Sequence, residues 1–163
     1  MDKIRQAFER LLEGVSLLLI VLLALVVIVG VLFRKAGMPL VWYDEVASIL
    51  LAWLTYYGSC LAALRQAHIG FPKFVLSVGP EFRWPLLLIR EVIVVGFFAL
   101  AAWAGWRVVM VLDGFYMVSL PWVPRQFTES VIPLSSVLFI MAELLSFAEL
   151  WRNPARLRAE VDQ

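Results

Sequence analysis

Residues 15–33 run without a single charged side chain, and that uninterrupted apolar stretch constrains this chain more than any other feature. A helix needs about 20 mostly apolar residues to cross the hydrocarbon of a bilayer. Inside lipid, its backbone N–H and C=O groups must all be satisfied within the segment. Three further stretches match that length, at 46–64, 86–112 and 131–150. The second is also uncharged and is closed by Arg65, the third contains Arg90, Glu91 and Arg107, and the fourth carries Glu143 and Glu149. Composition agrees: 63% of the 163 residues are hydrophobic, 17% are charged, and the mean hydropathy is +0.88. A water-soluble domain is roughly half apolar and a quarter charged, so the excess apolar surface here must face lipid. The expected fold class is an all-α integral membrane protein. It forms one membrane domain over residues 1–163, a four-span helical bundle with short interfacial amphipathic helices.

The first run is longer than a signal-peptide core, and Arg34-Lys35-Ala36-Gly37 makes a poor small-residue cleavage site, so it reads as a retained span. Basic residues in the short flanks set orientation. Lys3, Arg5 and Arg10, then Arg65, Lys73 and Arg83, then Arg152, Arg156 and Arg158 fall on one side, against Arg34, Lys35 and Arg125 on the other. Both termini are expected in the cytoplasm.

The connections carry patterns of their own. Ile4, Ala7, Phe8, Leu11 and Leu12 follow helical apolar spacing among charged neighbours. Residues 1–13 are thus expected either as a helix lying on the cytoplasmic surface or as an extension of the first span. Residues 69–84 are too apolar for a free loop, while Gly70, Pro72, Gly79, Pro80 and Pro85 oppose one long helix. A second interfacial segment is expected there. In the outer loop, 114–130, Phe115, Tyr116 and Trp122 belong at the membrane surface as aromatic belts do, and Pro121 and Pro124 argue against regular structure.

A formal charge of only +1 and no long Lys/Arg run exclude nucleic acid as a partner. A single Cys, Cys60, cannot form an intramolecular disulfide, and a single His, His68, cannot build a bis-His haem site. No cofactor or metal is expected. Asp44 and Glu45 open the second span after Trp42 and Tyr43, where carboxylates suit the helix N-terminus; they read as caps or as a polar contact to another subunit. His68 reads as a structural interfacial residue or as a proton relay. Glu143 and Arg90 sit at comparable depth, about 10 and 6 Å from the cytoplasmic ends of their spans. Glu143 is expected to pair with Arg90 or with a basic residue of a partner. Arg90 could instead turn to Glu91 or to the headgroups. Gly58 with Ala62, and Ala101 with Gly105, are candidate seams for close helix packing.

No phosphate-binding glycine loop, metal-ligand pair, Gly-x-Ser-x-Gly or Cys-x-x-Cys is present. No broken helix gathers polar groups at mid-membrane, as an autonomous transporter needs. An acid/base enzyme using Glu143 and His68 lacks any sign of mutual reach. The chain is expected not to be an enzyme.

The order of features over residues 39–74 resembles the small membrane subunit of tripartite ATP-independent periplasmic (TRAP) transporters, the DctQ family. Its pattern falls on Trp42, Glu45, Trp53, Gly58, Arg65 and His68, and a second piece on Pro121, Trp122, Ile132, Pro133 and Leu134. The resemblance implies a bacterial inner-membrane complex in which a separate, large multi-span permease carries the substrate and sodium sites. A periplasmic binding protein would deliver an organic acid. The small subunit would be a static brace among membrane lipids, with Trp42, Glu45 and the outer loop toward the periplasm and Arg65 and His68 toward the cytoplasm. Trp42, Asp44, Glu45, Trp53, Gly58, Arg65, His68, Arg90, Trp122, Pro133 and Glu143 are the candidate partner contacts. The competing readings are a small autonomous proton-coupled transporter, which would need a Glu in the uncharged first span, and a generic assembly factor.

Overall fold

The computed structural model describes residues 2–65 and 80–152. Within them the chain forms α1 (Asp2–Lys35), α2 (Tyr43–Leu64), α3 (Pro80–Val111), the short α4 (Arg125–Glu129) and α5 (Val131–Arg152). Four helical stretches, Arg5–Lys35, Tyr43–Leu64, Trp84–Val111 and Arg125–Ala148, are long and apolar enough to cross a membrane. Among the described residues no strand forms, only an isolated bridge between Tyr116 and Pro124.

Residues 2–13 are the first turns of α1 itself rather than a separate helix. Nothing between Glu13 and Val15 breaks the helix except Gly14, whose cost is about 1 kcal/mol. Leu12 meanwhile is fully buried in the core. At 34 residues, α1 is about 51 Å long and exceeds the hydrocarbon thickness. It stops in a C-cap that the sequence encodes. Gly37 takes φ +79°, the Gly37 N–H donates to Arg34 O at 3.2 Å, and the Met38 N–H to Phe33 O at 3.0 Å. This paired pattern closes the last carbonyls, and a residue without Cβ adopts that φ freely.

Of the interfacial segment expected at 69–84, the described part, 80–84, belongs to α3. Positions 66–79, including His68 and most of that segment, lie outside the described residues. Pro80 opens α3, where its missing N–H costs nothing. Pro85 is accommodated inside the helix at the loss of one backbone hydrogen bond near its start. The outer loop also holds more order than its prolines suggested. Pro124, with extended φ −70° and ψ 137°, leads into α4, and the Met117 N–H donates to Val123 O at 3.1 Å while the Arg125 N–H donates to Phe115 O at 2.9 Å.

The helices do not close into a bundle. They stand in a row, α1 beside α2, α2 beside α5, and α5 beside α3, with α4 also touching α3 and α5. The shared core holds Leu12 and Leu19 of α1, Tyr57, Cys60 and Leu64 of α2, and Phe139 and Ala142 of α5, with Phe98 of α3 packed against it. Phe98 and Phe139 stack with centroids 3.7 Å apart. Two glycines set the close approaches: a Cβ at Gly30 would lie 2.3 Å from the Tyr43 ring, and one at Gly105 would lie 2.8 Å from Ile132 and 2.9 Å from Pro133. An open row leaves Leu18, Val21, Leu25, Ile28 and Leu32 of α1 exposed, and Val92, Phe97, Leu100 and Trp103 of α3. In water such faces would force closure. In lipid, where the surroundings are as apolar as the side chains, nothing drives the two edge helices together.

Candidate functional site

Three polar ties cross between segments distant in sequence, and four of the eleven candidate contact residues, Arg90, Glu143, Glu45 and Arg65, take part in them. The first lies inside the membrane-spanning part. Arg90 sits six residues into the third span, about 9 Å from its start, and Glu143 five residues, about 8 Å, from the end of the fourth. Antiparallel packing of α3 on α5 brings them level, and Arg90 Nη2 donates to Glu143 Oε1 at 2.5 Å. The Glu143 side chain is 4% exposed and that of Arg90 48%. The pair therefore has a dry end and an outward end. Arg90 makes no bond to Glu91, its own neighbour, because consecutive residues on a helix point in different directions.

The second tie lies at the opposite end, where α2 begins. Glu45 accepts hydrogen bonds from the Ser119 N–H at 2.9 Å and the Val118 N–H at 3.4 Å, and from the Ser119 hydroxyl. The carboxylate thus clasps the tip of the loop between α3 and α4 to the first turn of α2. Beside it Trp42 is half-buried and Asp44 is exposed. Further along α2, Trp53 reaches the same outer structure, its Nε1 donating to Thr128 O at 3.0 Å and its ring tilted against Phe127 at 5.2 Å. Trp122 stands out of the loop at 74% exposure, and Val118 at 87%.

The third tie closes the other end of α2. Arg65 Nε meets Glu9 Oε1 at 2.7 Å and Arg65 Nη2 meets Glu13 Oε2 at 3.2 Å. The Glu9 hydrogen bond, helped by Glu13, raises the Arg65 pKa further. The last carbonyls of α2 are met by both neighbours: Arg5 Nη2 donates to Leu64 O at 2.8 Å, and Ser146 Oγ reaches Ala63 O at 3.1 Å and Leu64 O at 3.3 Å. A helix end buried in apolar surroundings requires such partners.

The two glycine seams part company. Gly105 is pressed against Ile132 and Pro133, whereas a Cβ at Gly58 would meet nothing within 4 Å. The seam expected at Gly58 and Ala62 is therefore not a close approach of helices among the described residues, since open space stands where a Cβ of residue 58 would be. Sequence reasoning missed Glu91, which is 7% exposed. Its helical phase carried the signal: Leu87, Val94 and Phe98, at i−4, i+3 and i+7, line the packed side of α3. Ser119, Ser146 and Gly30 gave no comparable signal, since their partners are distant in sequence. Among the described residues no three His, Cys, Asp or Glu side chains gather as a metal ion would require.

Two of these ties join helices and one holds a loop to a helix. In the comparisons with known proteins, the family described as "Tripartite ATP-independent periplasmic transporters, DctQ component" matches residues 23–153. No curated protein matches the chain.

Proposed function

The chain belongs to the DctQ family, the small membrane component of TRAP transporters, and we propose that within such a complex it is a static brace for sodium-driven uptake of an organic acid. The family works with a large permease and a binding protein, and it is a family of transporter components rather than of enzymes. The row of helices is the observation that favours a brace. Three of its four spans have only 11–17% of their apolar window buried, so a wide apolar flank is left for a neighbouring subunit and for lipid. The ties at both ends of α2 and between α3 and α5 stiffen that row against shear.

On this reading both termini lie in the cytoplasm of an inner-membrane complex, and Glu45 with its clasped loop lies at the periplasmic end. The exposed Trp122 and Val118 on that loop suit a surface that helps dock the binding protein. Gly58, where a Cβ would meet nothing within 4 Å, suits close approach of a helix from the large permease.

The test is uptake of a labelled organic acid into liposomes holding the large permease, its binding protein and an inward sodium gradient, with and without this chain. Uptake that requires the chain is the expected result. Flux by this chain alone, driven by a proton gradient, would replace the brace with an autonomous carrier.

A further inference from the structure

The third span carries Arg90 and Glu91 near its start and Arg107 near its end. Unlike Arg90, Arg107 has no ion pair and no hydrogen-bond acceptor among the described residues; its partner there is the Trp103 ring, with the guanidinium carbon 5.6 Å from the ring centroid. Two acidic groups at that end of the row are engaged elsewhere: Glu45 holds Ser119, and Asp113 accepts from Gln126 Nε2 at 3.1 Å. The residues outside the description adjoin the opposite end of α3, where Pro80 is separated from Arg107 by about 40 Å of helix. Helical side chains lean toward the N-terminus, so the guanidinium lies over the turn below it instead of reaching up into the loop. Trp103, Trp106, Arg107 and Met110, at i, i+3, i+4 and i+7, share one exposed strip, which Leu100 and Phe97 continue toward the middle of the span. The depth is telling. The span from Trp84 to Val111 has 28 residues, about 42 Å, against about 30 Å of hydrocarbon. Set symmetrically in a bilayer, it projects about 6 Å at each end, so Arg107, one turn before Val111, stands at the hydrocarbon boundary with the indoles at the level of an aromatic belt. The anion that every phospholipid places against that boundary is its phosphate.

We propose that Arg107, with Trp103 and Trp106, binds the phosphate of a membrane phospholipid in the leaflet on the loop side of α3. The Trp103 ring attracts the guanidinium and holds it in place. Its N–H donors are left for an incoming phosphate, whose two free oxygens the planar fork engages together. The acyl chains then run down the strip over Leu100 and Phe97. Because the phosphate is what Arg107 reads, headgroups with and without net charge are both accepted. A soluble phosphate gains nothing from the apolar strip, so the lipid is the source. The site rests on the membrane span alone, not on the transport reading.

The experiment titrates the full chain in detergent with phosphatidylglycerol, phosphatidylethanolamine or diacylglycerol and counts bound lipid by native mass spectrometry. Wild type is compared with Arg107→Leu, whose new side chain is at home in lipid. Wild type is expected to hold one phospholipid of either headgroup about tenfold more tightly than the variant. Diacylglycerol should bind both chains alike, and excess inorganic phosphate should displace nothing. Arg107→Lys, which keeps the charge and loses the fork, should fall between, and Trp103→Leu should weaken the same lipid; these two carry the comparison if Arg107→Leu does not fold. Equal phospholipid binding by wild type and the variants would overturn the proposal. Diacylglycerol held as tightly as phospholipid would do so as well, since the strip would then read acyl chains alone. Displacement by inorganic phosphate would assign Arg107 to a soluble anion instead. Loss of the co-purifying large permease from Arg107→Leu, with lipid binding unchanged, would assign it to an acidic group of that subunit.

Discussion

Glu143 and Glu45 are both carboxylates that fasten one helix to a structure distant in sequence, yet they do it in opposite surroundings. Glu143 is nearly sealed between α3 and α5 and bound to a single guanidinium. Glu45 sits at the rim and is met by two backbone N–H groups and a hydroxyl of a loop. Removing a partner from a dry pair strands a charge that water cannot reach, whereas at the rim solvent replaces what is lost. The first tie thus governs whether two spans stay together. The second governs where a loop stands.

The largest effect should come from the dry tie. Glu143→Gln leaves Arg90 without a counter-ion, and since Arg90 can still snorkel outward the expected loss is about 2–3 kcal/mol rather than the upper range for broken buried pairs. It should appear in the thermal unfolding of the purified chain. Adding Arg90→Met to Glu143→Gln should restore most of it, and a double variant no more stable than the single would show that charge pairing is not what matters there.

Next comes packing near the other end of the same helix pair. Gly105→Ala places a methyl against Ile132 and Pro133 and should cost about 1–3 kcal/mol. Gly58→Ala meets only open space, so it should be neutral or gain up to about 1 kcal/mol of helix propensity in the isolated chain. If Gly58 faces the large permease as proposed, that substitution should weaken co-purification while leaving the chain itself intact.

Smaller still, Glu45→Gln should leave unfolding almost unchanged and raise hydrogen exchange at the Val118 and Ser119 amides. Equal exchange in variant and wild type would mean the loop holds its place without the clasp. The smallest effect belongs to Arg65→Met. This exposed pair with Glu9 and Glu13 is screened by water and salt, and a change in stability that vanishes at high salt is the expected signature.

How much of this was legible varies by residue. The four spans followed from apolar length, two of them without any charge, whereas the glycine cap that ends α1 at Gly37 was not read from the sequence. Glu143 and Arg90 at equal depth followed from counting rise per residue. Which way Arg90 turned did not follow, because Glu91 and the headgroups were equally within its reach. The continuity of α1 through residues 2–13 was one of two readings, decided by the burial of Leu12. Pro85 was misplaced as a breaker, since one lost hydrogen bond near a helix start is tolerated when the rest of the helix is packed. For Gly58 and Gly105 the spacing of small residues was alike, and only the neighbouring helices distinguish them.

By itself the sequence determined that this is a membrane protein of four spans, because apolar length and the need to satisfy every backbone polar group within lipid are properties of a segment alone. The order of residues along 39–74 and 121–134 carried the family. Tertiary structure alone decided that the spans stand in a row instead of closing, that Glu45 holds Ser119, and that Glu91 is buried beside an ion pair. Those outcomes depend on which faces meet, and in a bilayer hydrophobicity does not choose between faces; close packing and a few polar contacts between distant residues do.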